Sequence, residues 1–398
     1  MSITVEEARE LSQKITAHRR YIHENAEVHM DLPKTSAYVE AQLQALGYET
    51  QRIGSSGIVA LAGNKKPGKV FLIRADMDAL PIPEQSGVPF ACTTGNMHAC
   101  GHDGHAAMLL GAAELLKRHE GEIEGTVKLM FQPAEETLAG ARMMLENGVL
   151  ENPKVDAAMM IHGTGSAPMK TGTVLLAKQG AAAADWLKIT VPGKGAHGAM
   201  PDVSIDPLNV IAHIHIALQA INAREISPAS NIALTVGQIH GGSTSNVIPD
   251  SAMLSGTLRT DDEQVRKFAK QRMIEIAQGI AQTFRAEATV EYERECPCFA
   301  VDGPLADELS QYIHTLVGDE LFVDLSKVTT GSKTMGSEDF AWISQQVPSV
   351  CVSLATGGPE NGCLYPLHHP KVTFDENAYP IGAAVYAECA MEWLKHHK

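Results

Sequence analysis

Asp103-Gly104-His105-Ala106-Ala107-Met108-Leu109-Leu110-Gly111-Ala112-Ala113-Glu114-Leu115-Leu116-Lys117-Arg118, followed by Val127-Lys128-Leu129-Met130-Phe131, decides the fold. The first run reads as a strong helix, with Asp103 placed to cap it and the small residues Gly104, Ala106 and Ala107 entering it. The second reads as a strand. Outward from this pair the alternation continues. Ile58–Ala62 and Val70–Ile73 are apolar runs bounded by glycine or charge, and both predict buried strands. Helical spacing covers Val5–Ile22 and Lys34–Leu46, the latter ended by Gly47. On the other side, Leu138–Asn147 predicts a helix and Ala157–Ile161 a strand. Such alternation predicts a mixed α/β layer with a largely parallel sheet.

From about Ala184 the rhythm changes. Strands at Asp185–Val191, Ile232–Ile239, Ala252–Arg259 and Glu287–Tyr292 interleave with helices at Pro207–Ala223 and Glu263–Phe284. Strand-helix-strand-strand-helix-strand is the split βαβ order of a ferredoxin-like unit. The α/β character then returns with a strand at Ser349–Leu354 and a helix at Asn377–Leu394. The expectation is an α/β domain (1–183 and 294–398) interrupted by a smaller inserted α+β domain (184–293).

Bulk properties exclude several classes. The 398 residues carry 32 basic and 47 acidic side chains, a net charge of -15, which disfavours nucleic acid and anionic membranes as partners. No apolar run approaches the roughly 18 to 20 residues of a membrane span. Met1–Arg20 lacks the basic-apolar-small order of a signal peptide, so the chain reads as cytoplasmic. Seven scattered cysteines do not make a disulfide framework, and Cys296-Pro297-Cys298 reads as incidental.

The chemistry concentrates in two segments, Met97-His98-Ala99-Cys100-Gly101-His102-Asp103-Gly104-His105 and Phe131-Gln132-Pro133-Ala134-Glu135-Glu136. Both fall at predicted strand ends or turns, where open α/β sheets bind ligands. Cys100 and His102 would diverge on a helix, so they act as joint ligands only in the turn that Gly101 permits. A thiolate ligand favours Zn, Mn, Co, Ni or Fe over Mg or Ca. The alternative is a buried cysteine beside a capping turn. His98 and His105 are weaker candidates. Glu135 and Glu136 leave the strand in different directions, so one carboxylate can coordinate while its neighbour takes a proton from water; a solvated helix start is the alternative. His162, directly after an apolar strand, and His368-His369 add imidazoles. In Arg74-Ala75-Asp76-Met77-Asp78, Asp76 could orient a ligand histidine. In the inserted segment, His197 lies in a glycine-flanked loop. Gly241–Pro249 is rich in glycine and hydroxyls, and Arg259 closes the next strand, which together suggest anion recognition.

The set resembles the M20 metallopeptidase family, specifically its amidohydrolase branch of N-acyl-amino-acid, hippurate and auxin-conjugate hydrolases. The resemblance spans the chain through residues 74–81, 97–105, 132–136, 196–201, 245–249, 336–340 and 367–370. It implies a site for two divalent metals, zinc or manganese first and cobalt or nickel next, with Cys100, His102, Glu136, His162 and His368 as ligands. His368 is preferred because the branch's usual Leu-His-Ser-Pro puts His369 at the serine. The resemblance further implies Glu135 as general base and Asp76 as the orienting aspartate, with Arg74 where the wider family has a metal-binding histidine. The inserted segment would be a lid and dimerisation domain. From it His197 would reach the partner subunit's site of a homodimer or higher oligomer, while Asn246 and Arg259 hold the substrate, an N-acyl amino acid or short peptide. Rival readings are a carboxypeptidase or dipeptidase, a catalytically silent relative, and an interaction module; the Glu135-Glu136 pair speaks against the silent one.

Overall fold

A computed structural model describes residues 2–63, 66–325 and 335–398. The chain divides into two compact units: Met1–Gly180 with Ala300–Gly331 and Trp342–Lys398, and Ala181–Phe299 with Ser332–Ala341. The second unit is wider than the 184–293 segment marked from the sequence. The Phe299 N–H donates to Ala181 O and the Ala182 N–H to Gly336 O, which binds both flanks and a later segment into it.

The strands of the first unit are β1 (Thr50–Ile53), β2 (Gly57–Gly63), β3 (Val70–Asp76), β4 (Thr126–Gln132), β5 (Ala157–Gly163), β6 (Val174–Leu176), β13 (Phe322–Asp324) and β14 (Ser349–Leu354). They form one sheet in the order β1-β2-β4-β3-β5-β14-β6-β13. The central strands β4, β3, β5 and β14 are parallel, while β2 and β6 join them antiparallel. Every residue of β3 and β4 is buried, as expected of strands covered on both faces. The chain passes from β3 to β4 on one side and later to β5 on the other. The gap between β3 and β5 is therefore where strand order reverses, the usual ligand position of open α/β sheets.

The helices of this unit are α1 (Val5–Glu10), α2 (Ser12–Glu24), α3 (Pro33–Ala45), α4 (His102–Arg118), α5 (Gly140–Glu146), α8 (Gly303–Val317) and α10 (Tyr379–His396); the short α9 (Ala341–Ser344) spans the return from the second unit. The α4 and α10 helices pack together closely, and a Cβ at Gly104 would stand 2.5 Å from the Tyr379 ring.

Two local expectations are corrected. The single helix over Val5–Ile22 is broken at Leu11, whose N–H bonds Ala8 O three residues back. Asp103 is not the cap of α4. That place falls to Gly101 at φ 88°, a left-handed conformation costly for other residues, and no side chain caps the helix. Asp103 is instead fully buried, with Oδ2 2.8 Å from His23 Nδ1 and 2.6 Å from Arg19 Nε.

The second unit contains β7 (Ala183–Pro192), β8 (Ala196–His197), α6 (Pro207–Ala220), β9 (Ile232–Gly241), β10 (Val247–Ile248), β11 (Ser251–Thr260), α7 (Glu263–Thr283) and β12 (Thr289–Cys296). Its antiparallel sheet has the order β12-β7-β11-β9, the topology expected of the split βαβ pattern. Leu187, Ile189 and Val191 alternate inward along β7 to meet Val210, Ile214 and Met273 of the helices. The last strand runs later than Glu287–Tyr292, because it pairs with β7 through to Cys296 across an irregularity at Tyr292/Arg294. No described helix is long and apolar enough to cross a membrane.

Candidate metal centre

Cys100, His102, Glu135, Glu136, His162 and His368 of the first unit converge at the sheet's reversal point. Ligand atoms of Cys100, His102 and His162 lie within 4.8 Å of one another, as do those of Cys100, Glu136 and His368, and those of His102, Glu135 and Glu136. Cys100 is common to the first two triads. Its Sγ is 3.6 Å from His162 Nε2 and 3.3 Å from His368 Nε2, and His368 Nε2 is 3.5 Å from Glu136 Oε1.

Each side chain is presented by a local device. His102 opens α4 directly after the Gly101 turn. Its Nδ1 donates to Asp78 O at 2.8 Å, which leaves the Nε2 lone pair facing the cluster. His162 is the penultimate residue of β5; its Nδ1 donates to Gly163 O at 2.7 Å, again leaving Nε2 toward Cys100. Burial, helped by His105, pushes the His162 ring down to about 3, which keeps it neutral. His368 has φ 65° in the loop after Pro366, and its N–H donates to Ala99 O, tying that loop to the Cys100 turn.

The donors fit a cation. His102 Nε2 and Glu136 Oε1 are buried without a hydrogen-bond partner, a costly arrangement that a metal ion would relieve. Burial pushes the Cys100 thiol up, with Glu136 and Glu135 adding to it against the pull of His102, so a nearby positive ion would be needed for the thiolate.

Asp76 lies at the end of β3, fully buried. Its Oδ1 is 2.6 Å from His105 Nδ1, and its Oδ2 accepts from Arg74 Nη1 at 2.8 Å and is 3.7 Å from His102 Nε2. Burial would raise this carboxylate, but His102, Arg74 and His105 hold it well below the ordinary range. Arg74 also donates from Nε to Gln132 Oε1 at 2.8 Å.

Asp78, two residues further along the same segment, fixes both halves of the cluster. Its backbone carbonyl sets His102, and its carboxylate accepts the N–H groups of Glu135 at 2.9 Å and Glu136 at 3.1 Å. The available signal was a second acid two residues further along the same extended segment.

The remaining candidates lie in the second unit. His197 on β8 is paired with Val247 of β10, and the Gly198 N–H donates to Asn246 O at 2.8 Å, so His197 and Asn246 share one small ribbon. Both side chains are exposed; His197 Nδ1 accepts from Ala199 N, and Asn246 Oδ1 accepts from Thr244 Oγ1. Arg259 sits on β11, stacked over Trp186 at 5.5 Å and donating to Ser337 Oγ and Met335 O.

Known proteins supply an independent comparison. Residues 72–392 match the model of peptidase family M20/M25/M40. The chain is 37% identical over 97% of its length to thermostable carboxypeptidase 2 of Saccharolobus solfataricus, covering 97% of that protein. It is 35% identical over 92% of its length to N-acetyl-L-cysteine deacetylase of Bacillus subtilis, covering 85% of it. Among solved structures, the YXEP protein of Bacillus subtilis, a dinuclear metal binding peptidase of the same family, superposes with TM-score 0.78 at 30% identity, covering 97% of this chain and 99% of that one. The chain therefore belongs to peptidase family M20/M25/M40, and is a hydrolase of its peptidase and amidohydrolase type.

Proposed function

We propose that this chain hydrolyses the amide bond of N-acyl amino acids, releasing a carboxylic acid and a free amino acid, at a two-metal site held by Cys100, His102, Glu136, His162 and His368. The observation that carries the reading is the pair of donor triads sharing Cys100, with Glu135 beside them. Zinc or manganese, or cobalt or nickel, would supply Lewis acidity toward water and the scissile carbonyl when bound there. Glu135 takes the proton of the attacking water and returns it to the departing amine. Asp78, holding the backbone of both glutamates, keeps base and ligand in fixed register. His197, supplied by the partner of a homodimer, stabilises the oxyanion, while Asn246 and Arg259 hold the free carboxylate.

A carboxypeptidase or dipeptidase is the second reading, favoured by the 37% identity to a carboxypeptidase. The test is a panel of N-acyl amino acids and dipeptides offered to the protein loaded separately with Zn, Mn, Co and Ni. Preferred turnover of the acyl compounds supports the first reading, and turnover of peptides alone replaces it with the second. No turnover with any metal sinks both.

A further inference from the structure

His105 is a buried histidine that the proposed chemistry does not use. With Asp76 and His102 it forms a group spaced like a metal site. Its hydrogen bonds contradict that appearance. The Gly163 N–H donates to His105 Nε2 at 2.8 Å, so Nε2 carries the lone pair and Nδ1 the proton, which Asp76 Oδ1 accepts at 2.6 Å. Both ring nitrogens are committed, and neither has a lone pair to give a cation.

The ring's place in the sheet explains the arrangement. The β3–β5 ladder runs from Phe71/Ala157 to Arg74/Met160 and stops, although β3 continues to Asp76 and β5 to Gly163. Their other neighbours follow them further: β4 pairs with β3 to Asp76, and β14 with β5 to Gly163. Only the gap between β3 and β5 opens, and the His105 ring from α4 spans it with a bond to each side. The structure points further, to the ligand itself. Gly163 is held by β14 on one edge and by His105 on the other, and its carbonyl accepts His162 Nδ1–H. A continuous chain thus runs from Arg74 through Asp76, His105 and Gly163 to the ring of His162.

We propose that His105 is a positioning residue, a crossbeam that replaces the backbone ladder where β3 and β5 part and thereby sets the rotation and tautomer of His162 toward the metal. The inference rests on reading Cys100, His102 and His162 as ligands. Partners at this remove from a metal typically change affinity about 10- to 100-fold.

The test compares His105→Asn, His105→Gln and His105→Phe by zinc titration against a competing chelator, with thermal unfolding run in parallel. An Asn amide reaches toward the Nδ1 position and keeps Asp76, whereas a Gln amide reaches toward Nε2 and can still accept from Gly163. His105→Asn should therefore lose about 10- to 100-fold in zinc affinity, His105→Gln clearly less, and His105→Phe at least as much as Asn. Equal losses for Asn and Gln, or wild-type affinity in Asn or Phe, overturn the proposal, since filling the space would then suffice. A second readout needs no variant. In protein loaded with ¹¹³Cd, coupling should appear to a ¹⁵N ring nitrogen of His162 and to neither nitrogen of His105; coupling to His105 overturns the proposal directly. Intact zinc binding with the Gln-over-Asn order, in a protein that turns over neither N-acyl amino acids nor dipeptides, would sink the proposed substrate reading and leave this one standing.

Discussion

The histidines of the two units are held in opposite ways. In the first unit His102, His105 and His162 each have a ring nitrogen fixed by a hydrogen bond of 2.6 to 2.8 Å, and His102 and His105 are fully buried. In the second, His197 is exposed on a two-residue strand, with its Nδ1 accepting from Ala199 N of its own turn. The first arrangement is organised before anything binds. The second has donors but little to fix them, so whatever chemistry it serves must bring its own geometry, as a neighbouring subunit or a bound carboxylate would. Preorganisation of the first kind lowers the cost of assembling charge at the reaction centre.

The contrast breaks most severely if Cys100, common to two triads, proves dispensable. Cys100→Ser should lower metal content well below two ions per chain, and reduce turnover by more than the roughly 10²- to 10⁴-fold that loss of a general base costs. Metal analysis after reconstitution, together with rate measurements, checks this. Wild-type content and rate would show the ligand assignment to be wrong.

Next in size, Glu135→Gln should cost about 10²- to 10⁴-fold in turnover while metal content survives, because the amide keeps size but cannot accept a proton. Lost metal with little further lost rate would exchange the roles given to Glu135 and Glu136.

His197→Ala tests the looser half of the comparison. Removing one oxyanion donor costs about 10²- to 10³-fold. If the histidine serves the partner subunit, co-expression of His197→Ala with Glu135→Gln chains should restore about a quarter of wild-type activity, since half the random dimers are hybrids with one complete site. Verified hybrids no more active than their parents would assign His197 to its own chain or to structure alone.

What the sequence disclosed follows the same division between local and distant causes. The runs that became β3, β4, β5 and β14 were legible because strands covered on both faces read as near-continuous apolar runs. The strand-helix-strand-strand-helix-strand order exposed the second unit, whose β7 alternates in burial as a one-face-covered strand should. By contrast β1, β6 and β13, at four, three and three residues, are too short for any period to register. The helix α8 was passed over although Leu305, Leu309 and Ile313 mark its buried face at four-residue spacing. Among the site residues, the motifs located every side chain of the cluster, but not the partners of its carboxylates. Asp103 reads as a cap in the sequence, whereas in the fold its carboxylate faces His23 and Arg19. Where a carboxylate ends up is decided by side chains 29 to 80 residues away, such as His105 for Asp76 and His23 for Asp103.

The smallest effect concerns that last pair, and asks whether the rigidity of the first unit extends behind the cluster. His23 is buried with Nδ1 2.8 Å from Asp103 Oδ2 and Nε2 2.9 Å from Glu84 Oε1, so only the protonated ring can donate to both carboxylates. Burial alone would lower its pKa, but Asp103 and Glu84 outweigh it, and the ring is lifted to about 9. An unfolded histidine titrates near 6.5. Because the folded value is the higher one, the stabilisation is complete below about pH 6.5 and is lost as pH rises through about 9. Its size is on the order of 3 kcal/mol at most. Urea unfolding of wild type and His23→Gln at pH 6 and pH 9.5 isolates the contribution, since other titrations cancel in the difference between the two proteins. The stability gap should be wider at pH 6 and narrow by about 1 to 3 kcal/mol at pH 9.5. A gap that does not change with pH would mean that His23 is neutral in the folded chain, leaving Arg19 as the cation that balances Asp103.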